Sequence, residues 1–156
     1  MIRKTKADAE REKKITCLHE SAHVVLAILS GRRVQWVTVK PKRVVINGIS
    51  CISLGRWDVA DKRVAGLLNI EERKQHIHTT MAGPVAENMI THKGHGGEDM
   101  DIAFAYCKEW NLNFNEMMRE TALIIHEHAE EINRLVDMLM EHKTLHEDQI
   151  KQAIFQ

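Results

Sequence analysis

The chain has 156 residues, 22 Lys plus Arg against 22 Asp plus Glu, and 10 His, a formal net charge of zero. That length supports one domain, residues 1–156, with a core of its own, and the balance excludes an overall field that would draw it onto nucleic acid or an anionic membrane. Cys17, Cys51 and Cys107 are odd in number and widely spaced, which fits neither a disulfide framework nor a C-x-x-C knuckle, so a reducing compartment is expected. The longest apolar run, 24–29, is too short to span a bilayer, and a soluble, cytoplasmic protein is expected, with no membrane partner.

In chain order, Ile15, Leu18, Ala22, Val25, Leu26 and Leu29 fall at helical spacing. They predict a helix over 9–30 stopped by Gly31, with 1–14 as its charged N-terminal extension. Residues 34–39 are β-branched and aromatic, and 43–54 read as two strands around an Asn47-Gly48 turn, which gives a small sheet of about three strands. A second helical pattern over 69–91 contains Gly83-Pro84, where a kink or restart is expected because proline removes a hydrogen bond and clashes with the preceding turn. Asp99 is placed to cap a helix carrying Ile102, Ala103, Tyr106 and Trp110, and Asn115 to cap a long helix with Ala122, Ile125, Ala129, Ile132, Val136 and Leu139 on one stripe. Thr144 and Glu147 form a capping-box pattern for a last short helix near Leu145. The expected class is α+β, predominantly α-helical, with one small sheet.

Within the first helix stands His19-Glu20-Ser21-Ala22-His23, an H-E-x-x-H string. Residues four apart share a helix face with stems about 5–6 Å apart, so His19 and His23 can aim at one cation, Zn2+ by this motif. Glu20 lies beside them, off the metal, where a carboxylate serves as a general base. A catalytic zinc takes three protein ligands and leaves one position for water. The metzincin extension would need glycine at 26 and histidine at 29; both are leucine. Acidic candidates are Glu87, Glu98, Asp99 and Asp101. His142 and His146 have the same four-residue spacing but no glutamate, and a helix start between them is expected to place them on different elements. His126 and His128, two apart on a helix, point in different directions and are read as solvent-facing or lightly packed.

Four strings, in order and spacing, resemble the peptidase domain of the FtsH-type ATP-dependent zinc metalloprotease family. They are the H-E-x-x-H run at 19–23, Met81-Ala82-Gly83-Pro84-Val85-Ala86-Glu87, Gly97-Glu98-Asp99-Met100-Asp101-Ile102, and Leu139-Met-Glu-His-Lys-Thr-Leu145. The resemblance spans roughly residues 15–154. It implies that His19, His23 and Asp101 bind zinc, Glu20 is the base, and Asp99 is the reserve ligand. Asp101 in the first helical turn would have its carboxylate free while Asp99 caps. Glu87 matches a family glutamate and is read equally as a helix-surface carboxylate or one supporting a metal ligand. There is no Walker A motif, so a stand-alone domain without an ATPase module or transmembrane segment is expected.

The resulting expectation is a zinc-dependent endopeptidase acting on unfolded or extended polypeptides, with a separate unfoldase as a candidate partner and the oligomeric state open. The resembling family presents an edge strand beside the zinc, and 48–54 is the expected edge here. His95 and Tyr106 are the residues whose type suits a second oxyanion stabiliser. The competing reading is a non-proteolytic binding or regulatory protein that keeps the fold. Intact Glu20 argues against it, because a structural metal site has no use for a base. Nucleic-acid binding through Arg32, Arg33, Lys40, Lys42 and Arg43 is a third reading, disfavoured because basic residues also protect strand edges.

Overall fold

A computed structural model describes residues 2–53, 55–59, 68–94 and 96–156. The first helix, α1 (Lys6–Leu29), begins on Thr5, whose side chain accepts from the Asp8 backbone N–H while the Asp8 carboxylate accepts from the Thr5 N–H. These reciprocal bonds satisfy two of the donors that a helix start leaves unpaired. Its first turns are exposed, as the charged sequence requires, but every residue from Glu20 to Ala27 is buried. A helix buried on all sides is the centre of its domain: α1 packs against α2 (Ile70–Thr91) and α5 (Ala129–His142), and α2 in turn against α3 (Glu98–Glu109) and α4 (Phe114–Glu127). The core joining them includes Val24, Val25, Ile77, Met81, Leu135 and Leu139. No helix among the described residues is long and apolar enough to cross a membrane.

Five strands form two sheets among the described residues. In the three-stranded sheet, β1 (Val34–Thr38) runs between β4 (Arg56–Val59) and β5 (Thr144–His146), antiparallel to both. β2 (Lys42–Ile46) and β3 (Ile49–Ser53) form a separate hairpin around Asn47 and Gly48. The expected class is therefore present, a predominantly helical α+β chain with a small three-stranded sheet, but of the expected strands that sheet keeps only β1; the two within 43–54 pair with each other instead. Its third strand is the Thr144 segment, read from sequence as a helix cap. Val37 faces Leu145 and Thr38 faces Thr144, whose hydroxyl oxygens lie 2.7 Å apart, and α6 (Glu147–Ile154) starts only afterwards. His142 and His146 accordingly sit on different elements, α5 and β5.

Three local expectations differ. α2 does not restart at Pro84 but runs through it. The long stripe over 122–139 is two helices, α4 and α5, broken at His128. The cap of α4 is Asn113, whose side chain accepts from the Glu116 N–H, rather than Asn115.

Candidate metal centre

The site is built where α1, α2, α3 and β4 meet. His19 and His23, one turn apart on α1, present their Nε2 atoms 3.1 Å from each other. Asp99 Oδ2 lies 3.1 Å from His19 Nε2 and 3.0 Å from His23 Nε2, so the three atoms form a nearly equilateral triangle. The other ring nitrogens fix the tautomers. His23 Nδ1 donates to the Thr79 carbonyl of α2 at 2.6 Å, and His19 Nδ1 lies 3.3 Å from Glu87 Oε2. With both Nδ1 atoms carrying hydrogen, two imidazole lone pairs and a carboxylate converge on one point. Such convergence is repulsive unless a positive charge sits there, and its edges are close to the roughly 3.3 Å expected between ligands around a tetrahedral ion with bonds of about 2.0–2.1 Å. His19, His23 and Asp99 can thus hold a metal ion, and they are the only such group of His, Cys, Asp and Glu among the described residues.

The third member corrects the expectation for Asp101. Helix α3 starts two residues earlier than the Asp99 cap implied: its cap is Gly97, at φ +100°, which favours glycine. Asp99 becomes the second helical residue, its carboxylate free at the positive end of the helix dipole. Asp101, two positions on and so about 200° around the helix, is exposed to solvent. Glu87 lies against the far side of His19, and Glu98 lines the same cleft without joining the triangle.

Electrostatics tie these groups together. Without an ion, a proton on His19 supplies that positive charge: burial disfavours it, but hydrogen bonds with Asp99 and Glu87 outweigh the burial and hold the ring up at about 10. Burial likewise pushes against ionised Asp99, and the hydrogen bonds with His19 and His23 overcome it, keeping the carboxyl well below the usual range. Glu20 is different: it is buried, has no ion pair among the described residues, and its carboxyl is raised by desolvation, partly offset by His23 and His19. It stands in the wall of the same cleft, about 480 Å³ in volume.

Two glycines explain how backbone comes so close. A Cβ on Gly83 would overlap the Nε2 atoms of both histidines, 2.5 Å from that of His23. A Cβ on Gly55 would stand 2.6 Å from Glu20 Cγ and 2.7 Å from its Oε1. In the sequence Gly83 stands beside the proline at which a kink or restart is expected, and nothing local marks Gly55. The available signal was a glycine inside an otherwise helical pattern, which marks close approach as well as interruption. Trp57 of β4 was also missed; its ring stacks on His23 with centroids 5.8 Å apart.

The strand beside the site is β4, the outer strand of the three-stranded sheet, with Gly55, Arg56 and Trp57 lining the cleft. The expected edge, 48–54, falls instead on the β2–β3 hairpin, and Leu54 lies outside the described residues. Of the two residues considered for an oxyanion, Tyr106 belongs to a ring stack with Trp110 and His76 and does not line the cleft; His95 lies outside the described residues. No protein-family model and no curated protein matches the chain.

Proposed function

We propose that the chain is a zinc-dependent endopeptidase that hydrolyses extended polypeptides. One observation carries this reading: His19, His23 and Asp99 converge on a single point while Glu20, buried and desolvated, stands in the wall of the same cleft. His19, His23 and Asp99 would hold the ion. Zinc, when bound, supplies a Lewis acid that polarises a carbonyl and acidifies water. Glu20 accepts the proton of the attacking water and delivers it to the departing amine nitrogen, a role suited to a carboxyl whose proton affinity burial has raised. Thr79 and Glu87 keep the two imidazoles in the tautomer that leaves Nε2 free, as partners behind metal ligands do. Strand β4 offers backbone groups to which a substrate segment adds as a further strand.

The order of the four sequence strings, similar to the FtsH-type peptidase domain, supports the same reading, with Asp99 in place of Asp101. The test is digestion of an unfolded, casein-like protein by the purified chain. Hydrolysis that chelation abolishes and added zinc restores is expected; hydrolysis indifferent to chelation, or none by the zinc-loaded protein, overturns the proposal.

A further inference from the structure

Among the described residues Arg56 is the only lysine or arginine lining the cleft, where it shares the walls with four carboxylates, Glu20, Glu87, Glu98 and Asp99. It pairs with none of them. Its Nε is buried and has no hydrogen-bond partner. The described neighbours thus leave the charge of this cleft-lining guanidinium unpaired. The neighbouring residue places it beside the proposed base. The Gly55 backbone lies against Glu20, so the Cα of Arg56 is one peptide unit, about 3.8 Å, from a residue in contact with the proposed base. Arg56 also begins the outer strand β4, paired with Thr38 on one side. A substrate strand on the other side would place one of its side chains directly opposite Arg56, at the short cross-strand distance where opposite charges attract.

We propose that Arg56 is a specificity-determining residue that receives a carboxylate of the bound polypeptide. The enzyme therefore prefers chains with an acidic group next to the bond it cuts. Charge-assisted hydrogen bonding through its terminal nitrogens is what guanidinium offers a carboxylate and what no carboxylate among the described residues takes up. The group is either an Asp or Glu side chain or the α-carboxylate of a chain end; the chemistry is the same. This inference rests on the peptidase reading for its substrate, and its test is a binding measurement that does not require turnover.

The experiment uses the zinc-loaded Glu20→Gln protein and fluorescent peptides in which a single Glu or Gln is moved along an otherwise neutral sequence, each made with a free and an amidated C-terminus. Affinity is read by anisotropy. One peptide position is expected to favour Glu over Gln by roughly tenfold to a hundredfold. Adding Arg56→Gln should remove the preference, and Arg56→Glu should turn it toward Lys. A preference that survives amidation assigns the side-chain carboxylate; one that amidation abolishes assigns the chain end. Equal binding of all peptides, or a preference unchanged in Arg56→Gln, overturns the proposal. Peptide binding of this pattern without cleavage by the wild-type protein would instead count against the peptidase reading and leave the role of Arg56 standing.

Discussion

Gly83 of α2 approaches His23 of α1 so closely that a single added carbon would stand 2.5 Å from the ring nitrogen that faces Asp99. Both rings that the carbon would meet are held, His23 buried and bonded to the Thr79 carbonyl and His19 against Glu87, so they make room only by losing those contacts. That loss outweighs the roughly 1 kcal/mol by which alanine betters glycine within a helix. Gly83→Ala should therefore lower the thermal stability of the metal-free protein and weaken zinc binding by roughly tenfold or more. Thermal denaturation and competitive zinc titration check the two halves; an unchanged zinc affinity would contradict the geometry.

Asp99 and Asp101 separate cleanly. Asp99→Asn removes a charged ligand and should abolish stable metal binding, whereas Asp101→Asn alters an exposed carboxylate and should bind zinc like wild type. Metal content after gel filtration distinguishes them, and the opposite pattern would restore the sequence-based assignment.

Glu87 touches the metal-distal nitrogen of His19. Glu87→Gln should lower zinc affinity by roughly 10- to 100-fold, the usual effect of losing such a partner, with the helix itself intact by circular dichroism. No change in affinity would reduce Glu87 to a surface carboxylate.

Away from the site, Arg33 grips Glu147 with two bonds of 2.9 Å and ties β1 to the start of α6. The Arg33 and Lys151 contacts hold the Glu147 carboxyl down at about 2, against an ordinary 4.5. A depressed carboxyl stabilises the fold above its unfolded value and stops doing so as pH falls through the folded one. The stability gap between wild type and Glu147→Gln should be present at neutral pH and close between about 4.5 and 2. Urea titrations across that range measure it, and a gap independent of pH would rule the pairing out as its source.

Much of this was legible from residue order. Helical spacing located α1, and the four-residue separation of His19 and His23 guaranteed that they would share a face. The third ligand was harder, because choosing between Asp99 and Asp101 depends on where α3 begins. That boundary is set by the positive φ of Gly97 rather than by a capping side chain. Strand β5 was hidden because three residues carry too little pattern, and only the distant β1 gives Leu145 a partner. Pro84 reads locally as a kink or a restart, yet α2 continues through it and buries the proline. Gly55 and Arg56 acquire meaning only once the sheet lays β4 across Glu20, a contact between residues more than thirty positions apart.

The claim that Glu20 acts on water beside a bound metal, without holding that metal, is tested most directly by comparing wild type with Glu20→Gln for zinc stoichiometry and for hydrolysis of an unfolded protein in the same preparation. The account predicts equal zinc in both and hydrolysis only in wild type. Hydrolysis by Glu20→Gln at the wild-type rate, with its zinc retained, would contradict it.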